Sequence, residues 1–173
     1  MAAEVELNSL KKKVEERELN AGNVFMASFL AGLNELGVLN QGVVNISSSY
    51  AGEVLSRYAI VMGFKISPDT SPEEQIREAI NFLNENLQIG TLSVEFSENH
   101  FLLKISSSKC RFCPKGVGGA ELEGTLCPFP KLIEKFLSET CHVNVSLIPE
   151  GLENRVLTKQ EGFCIIKYSL ESK

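Results

Sequence analysis

Residues 71–105 decide the fold class of this chain, and they read SPEEQIREAINFLNENLQIGTLSVEFSENHFLLKI. Ser71 at the N-cap, Pro72 at the first helical position and Glu74 form a capping box, which predicts the start of a helix. Apolar residues then recur at spacings of three and four, the period of one buried helical face. After Gly90 the period falls to two, and a polar turn separates two alternating runs, which predicts a β-hairpin.

Helical patterns dominate the chain before this stretch, and strand patterns dominate after it. The residues around Val44 are ambiguous, and Ser47–Ser49 are expected to cap the helix that follows them. The predicted helices before the hairpin are 4–18, 24–36, 51–62 and 72–87, and the predicted elements after it are a helix opening at Pro128 and strands at 143–148 and 162–170. This order predicts an α+β fold, with the N-terminal helices packed on one face of an antiparallel sheet and one helix inserted between strands.

The chain has 173 residues, which predicts a single domain over residues 1–173. Within it we expect a charged leading helix or arm at residues 1–20, a helical half at 21–90 and a strand-rich, zinc-binding half at 91–170. The leading helix is expected to be a solvated element, and the alternative is that it makes a dimer contact.

Charge and composition exclude several classes of function. The net charge of −5 and the pI of about 5.2 argue against a nucleic-acid partner or an anionic membrane surface. The chain contains no run of about 18 apolar residues, so no membrane span is expected. Its N-terminus lacks the basic start and apolar stretch of a signal peptide, so a cytoplasmic location is expected.

The strongest chemical signal is a group of five cysteines within the last 64 residues. They are Cys110, Cys113, Cys127, Cys141 and Cys164. An odd number of cysteines in a reducing compartment favours metal binding or thiol chemistry over a disulfide framework. Cys110 and Cys113 form a CxxC motif, and two thiolates at that spacing can bind one zinc ion.

Helix length suggests which of the remaining cysteines complete the site. The helix after Cys127 is on the order of 18 Å long, so Cys141 and His142 are expected at its far end. The next strand should return along the helix and bring Cys164 back toward Cys127. We therefore predict a closed structural zinc site with four thiolate ligands, in which Cys141 or His142 is the alternative ligand: Cys110, Cys113, Cys127 and Cys164.

Two other interpretations of the cysteines remain. They can be buried free thiols that pack as small apolar side chains. Alternatively, Cys110 and Cys113 can form a thiol-redox pair, as a CxxC motif does between a strand and a helix. Pro114 and the glycine-rich segment after it do not begin a helix, which disfavours the redox interpretation.

The stretch from Leu92 to Tyr168 resembles the 4-vinyl reductase-type domain, a hydrocarbon- or small-molecule-binding family. Its wider fold is shared with nitric-oxide sensors and with TRAPP transport-complex subunits. The family's helix-opening cysteine corresponds to Cys127, its glutamate to Glu153 and its last cysteine to Cys164, while its middle cysteine corresponds to Val156. The resemblance implies a metal site in which Glu153 is an outer or alternative ligand. The Tyr-x-Ser-x-Arg motif of the haem sensors is absent from the sequence, so no haem is expected.

These observations predict a zinc-stabilised, non-catalytic domain that binds or senses a small apolar or aromatic ligand. Its pocket is expected between the helices and the sheet, with five candidate lining residues: Phe25, Phe29, Tyr58, Phe101 and Phe136. One alternative is a homodimeric scaffold or interaction protein, and a second is a thiol-redox protein using Cys110 and Cys113. The sequence contains no catalytic triad, P-loop or paired-carboxylate motif, which favours binding over catalysis.

Overall fold

The computed structural model describes residues 2–113, 117, 126–150 and 155–172. Five helices and five strands occupy these residues. The helices are α1 (Ala2–Arg17), α2 (Ala21–Glu35), α3 (Gln41–Val61), α4 (Pro72–Leu87) and α5 (Phe129–Thr140), and the strands are β1 (Leu92–Ser97), β2 (His100–Ser106), β3 (Val143–Leu147), β4 (Thr158–Gln160) and β5 (Phe163–Ser172). The predicted α+β fold class is confirmed, with α5 inserted between β2 and β3.

The five strands form one antiparallel sheet in which β5 is the central element. One edge of β5 pairs with β2, which in turn pairs with β1 through the predicted hairpin. The other edge of β5 pairs with β4 near its start and with β3 near its end. The short strand β4 was not predicted, because three residues are too few to show the alternating pattern of a strand.

The main hydrophobic core combines residues of α3, α4, α5 and the sheet, and α1 and α2 contribute to two smaller clusters. The buried face of α4, including Ile76 and Ile80, packs with sheet residues such as Phe101 and Tyr168. The helix α5 contributes Phe136 to the same core, and α3 packs mainly against α5. Within the described residues, no helix is both long enough and apolar enough to cross a membrane.

The Ser71 cap predicted for α4 is present, and the Glu74 carboxylate bonds to the Ser71 hydroxyl. The Ser71 hydroxyl accepts a hydrogen bond from the Glu74 backbone N–H at 3.3 Å and donates to the Glu74 carboxylate at 2.8 Å. A reciprocal capping box occurs instead at α2, where the side chains of Asn20 and Asn23 each accept from the other's backbone N–H at 3.0 Å. Asparagine at both positions satisfies the same two N–H groups as the Ser/Glu pair.

The predicted start of α3 is wrong. The helix begins at Gln41, where Asn40 accepts a hydrogen bond from the Val43 backbone N–H, and Ser47–Ser49 lie inside the helix. Because Ser48 faces inward and is buried, it packs against its neighbours rather than capping a helix.

Most large apolar side chains of α3 lie on the face opposite the core. Val54, Tyr58 and Met62 are exposed, whereas the buried face carries small residues such as Gly52. At Gly52 a Cβ atom would lie 2.4 Å from the Leu132 carbonyl oxygen of α5. The two backbones approach too closely for a large side chain between them, so the large apolar residues of α3 point away from the core.

Candidate metal centre

The cysteines of the CxxC motif are held beside the start of the hairpin. Their segment follows β2, and the Arg111 backbone N–H donates to the Ile89 carbonyl at 3.0 Å. Gly90 has a φ of +135°, and a Cβ atom there would lie 2.4 Å from the Lys109 carbonyl oxygen. Glycine at position 90 therefore lets the backbone leading into Cys110 pack directly against the end of α4.

Cys127 and Cys164 reach the same region from two other elements. Cys127 lies two residues before α5, and Cys164 is the second residue of β5. Cys164 is paired with Ile105 on β2 and with Lys159 on β4. Three separate chain segments therefore present thiols near one end of the sheet.

These four thiols are close enough to influence one another electrostatically. Cys110, Cys113 and Cys164 each raise the pKa of Cys127. Cys113 and Cys164 raise the pKa of Cys110, and Cys113 raises that of Cys164. Every pair among the four cysteines therefore interacts, which is expected only when all four surround a common region. All five cysteines of the chain are free thiols.

Burial dominates the protonation of this cluster. It raises the pKa of the Cys110 thiol to about 11 and also raises the pKa of Cys127 and Cys164, because a thiolate loses hydration in the protein interior. Backbone hydrogen bonds oppose this effect: Phe112 and Cys113 donate to the Cys110 sulfur and lower its pKa. Without a cation, burial prevails, and the thiols of Cys110, Cys127 and Cys164 are protonated at neutral pH.

Several basic side chains lie beside the cluster. Lys159 lowers the pKa of Cys164 through its positive charge. Arg17, the last residue of α1, donates from Nη1 to the Cys113 carbonyl at 2.9 Å. Arg111, inside the motif, donates to the Arg17 carbonyl at 3.2 Å. These cations can balance the negative charge of a metal site with four thiolates.

Cys141 and His142 lie at the other end of α5, as the helix length predicts. The Cys141 thiol is buried and donates to the Gln75 carbonyl of α4 at 3.7 Å. The Gln75 side-chain oxygen accepts from the His142 backbone N–H at 2.8 Å. These contacts hold Cys141 and His142 against α4, at the end of α5 opposite Cys127.

The side chains do not form a finished metal site as they stand. In the described part of the chain, no three His, Cys, Asp or Glu side chains are arranged so that they could hold a metal ion. Glu153, the alternative ligand implied by the family resemblance, lies outside the described residues, as does most of the glycine-rich segment after Cys113. A metal would therefore require the four neighbouring thiols to turn toward one point.

The five aromatic residues predicted to line a pocket are divided between the core and the surface. Phe101 and Phe136 are fully buried, and Phe101 stacks on Tyr168 with ring centroids 5.0 Å apart. Phe25 and Phe29 stack on each other at 6.2 Å and are more than half exposed on α2, and Tyr58 is exposed on α3. Phe101 and Phe136 therefore fill the core, and the other three side chains face outward.

Sequence reasoning missed the groups that surround the cysteines. Arg17 is 96 positions from Cys113 in the sequence, and Lys159 lies in the unpredicted strand β4. The position of Arg17 at the end of a charged helix gave no sign of this contact. The CxxC motif did imply backbone N–H donors, because its tight turn points them back at the first sulfur.

The family comparison covers the four clustered cysteines and the elements from α3 to β5. The sequence model of the MJ0207 family matches residues 37–170. The chain belongs to the MJ0207 family. The match runs from α3 to β5 and includes all five cysteines.

Two MJ0207-type relatives come from Methanocaldococcus jannaschii. The uncharacterized protein MJ0207 is 35% identical over 127 residues, which is 73% of this chain and 73% of the relative. The uncharacterized protein MJ1342 is 28% identical over 96 residues, which is 54% of this chain and 80% of that relative. Neither name assigns a function, so the resemblance to 4-vinyl reductase-type domains stays a prediction.

Proposed function

We propose that this MJ0207-family chain is a zinc-stabilised, non-catalytic domain in which Cys110, Cys113, Cys127 and Cys164 bind one structural Zn²⁺. The observation that carries the proposal is that three chain segments bring these four thiols to one end of the sheet, close enough to influence one another's pKa, while Cys141 lies at the opposite end of α5 from Cys127. Three chain segments that are distant in sequence supply the ligands, so a bound metal would crosslink the CxxC segment, the start of α5 and the central strand.

The donor set fits zinc chemically. Four thiolates are the ligands of closed structural zinc sites, which leave no position open for substrate. Backbone N–H groups already donate to the sulfur atoms of Cys110 and Cys127 and favour their thiolate forms. In metal sites such donors orient the ligand and help to hold its charge. Lys159 supplies a positive charge beside Cys164.

The same features disfavour a thiol-redox role. Redox-active cysteines have lowered pKa values and are accessible to a partner. Cys110 is buried and its pKa is raised to about 11, so it is a weak nucleophile at neutral pH. Zinc would offset the loss of hydration that raises this pKa, whereas a redox partner would not.

The apolar-ligand role predicted from the sequence has less support than the zinc role, because the predicted lining residues are divided between core and surface. The exposed aromatic pair Phe25 and Phe29 lies on a helix surface instead of in an enclosed pocket. An outward apolar surface favours the interaction-protein alternative.

Metal analysis of purified variants tests the zinc proposal. The unmodified protein, expressed with zinc supplied, is expected to contain one zinc ion per chain. Serine substitution at Cys110, Cys127 or Cys164 should abolish or strongly reduce that content, because three thiolates no longer close the site. Cys141→Ser is the matched control, since Cys141 is also buried, and it should retain zinc.

Two results would contradict the proposal. One is zinc loss in Cys141→Ser equal to that in the other variants. The other is metal-free unmodified protein that shows no rise in melting temperature when zinc is added, because a ligand that binds only the folded state must raise it. Circular dichroism on each variant separates loss of the ligand from loss of the fold.

A further inference from the structure

The helix α3 is apolar on two opposite faces. Its inward face consists of small residues packed against α5, with Gly52 in direct contact with the α5 backbone. Its outward face carries six large apolar side chains that are 41–82% exposed. They are Val43, Ile46, Tyr50, Val54, Tyr58 and Val61. Large apolar side chains clustered on an exposed surface mark a site that binds a partner.

The six exposed residues form one straight stripe. They run from Val43 to Val61 at spacings of three and four, with a mean equal to the helical repeat of about 3.6 residues. The stripe therefore lies along the solvent side of α3, directly opposite its small-residue face. Since α3 is 21 residues long, the stripe extends for on the order of 30 Å.

The exposed area of the α3 stripe is close to what a stable interface needs. At on the order of 200 Å² for each large side chain, the six stripe residues, which are 41–82% exposed, present roughly 700 Å². Monomeric proteins rarely expose apolar patches above about 600 Å², and a stable complex buries about 800 Å² per partner.

The six stripe residues are uncharged, and charged side chains lie on the flanks of the stripe. Lys131, Glu134 and Lys135 of α5 line the groove beside Ile46 and Tyr50. The helix α3 also carries Glu53 and Arg57, one turn apart on the flank of the stripe and paired with each other. In a two-fold arrangement, Glu53 of one copy can face Arg57 of the other.

We propose that the α3 stripe is the interface of a homodimer, in which the stripes of two copies pack across a two-fold axis. The exposed area of the stripe and the opposite charges of Glu53 and Arg57 on its flank fit a second copy of this chain. The interface lies on α3, whereas the charged helix α1 contributes one exposed large apolar side chain, Leu7, among its described residues. This proposal does not depend on the zinc site.

Sedimentation and light scattering of the full chain test the interface. The unmodified protein is expected to have a mass of about 38 kDa, twice the chain mass of 19.0 kDa. The double variant Ile46→Glu with Tyr50→Glu places charges on the stripe at positions that are 75% and 68% exposed. It should be a folded monomer, because each charge would be buried twice in a symmetric interface.

Leu7→Glu is the matched control, since Leu7 is 65% exposed and lies on α1. It should leave the dimer mass unchanged. Unmodified protein that stays monomeric at 100 times its working concentration would overturn the proposal. A dimer that survives the double variant would also overturn it. Cosedimentation of a monomeric chain with phosphatidylcholine vesicles would assign the surface to a membrane and would also overturn it. If the double variant fails to fold, Val61→Glu is the second test, and it should also dissociate the dimer.

Discussion

The guanidinium of Arg17 donates a hydrogen bond from Nη1 to the backbone carbonyl of Cys113 at 2.9 Å, and this contact ties the end of α1 to the CxxC segment. Arg111 returns the contact by donating to the Arg17 carbonyl, and Lys109 donates to the Glu16 carbonyl at 3.1 Å. The last turn of α1 therefore rests on the segment that carries two of the four proposed zinc ligands. A change that loosens α1 is therefore expected to loosen the cysteine cluster, and a change that loosens the cluster is expected to loosen α1.

Arg17→Met should loosen α1 from the domain. Arg17 is 8% exposed, and methionine keeps much of the apolar stem while losing the charged donor. Because hydrogen bonds to charged groups contribute about 1.5–3 kcal/mol, the free energy of unfolding in urea should fall by roughly that amount. Limited proteolysis should also cleave the chain more readily near the end of α1 in this variant than in the unmodified protein. Lys12→Met is the control: Lys12 is exposed, and no measurable change is expected there. Equal effects of the two substitutions would refute the anchoring role.

Alkaline pH should destabilise the metal-free protein. The Cys110 thiol has a pKa of about 11 in the folded state against an ordinary value of 9.0, because burial opposes its ionisation. A raised folded-state pKa gives stability that is complete below pH 9 and is lost as pH rises toward 11. At about 1.4 kcal/mol per pKa unit, the loss is on the order of 3 kcal/mol.

Chelator-treated protein unfolded in urea at pH 8 to pH 11 measures this effect. Zinc-loaded protein should lack the decline, because bound metal already holds the thiols in their ionised form. The same decline in both preparations would argue that the metal does not occupy these thiols.

Gly52→Ala should destabilise the domain, because the added methyl group would lie 2.4 Å from the Leu132 carbonyl oxygen. The α3 and α5 backbones must then separate, and overpacking of this kind costs about 1–3 kcal/mol. Gly32→Ala is the matched control in α2, where no described atom lies within 4 Å of the new Cβ. It should be neutral or stabilising by up to about 1 kcal/mol. Thermal unfolding of both variants compares the two sites, and equal melting temperatures would contradict the close packing.

Tyr168→Phe should remove one buried hydrogen bond. The Tyr168 hydroxyl donates to the Pro130 carbonyl at 3.0 Å in the core. Its loss leaves that carbonyl without this donor and should lower the free energy of unfolding by about 1–2 kcal/mol. Tyr58→Phe is the comparison, because its hydroxyl lies 3.4 Å from Asn86 outside the core, and in monomeric protein it should change stability by less than about 0.5 kcal/mol. Equal effects of the two substitutions would contradict the role of the Tyr168 hydrogen bond.

The cysteine cluster was predictable in part because helix length is a local property. The rise per residue places Cys141 at the opposite end of α5 from Cys127, whatever the helix packs against. The basic groups around the cluster were not predictable in this way. Arg17 and Lys159 reach it only through the packing of α1 and the pairing of β4 with β5.

The sequence alone determined the α+β class, the hairpin and the order of the elements, because periods of 3.6 and 2 arise from local backbone geometry. Only the tertiary structure decided which face of α3 meets the core. Both of its faces are compatible with burial, since one carries small residues and the other large apolar ones. The close approach of α3 to α5 at Gly52 admits only the small face, and this leaves Tyr50 and its neighbours on the outside.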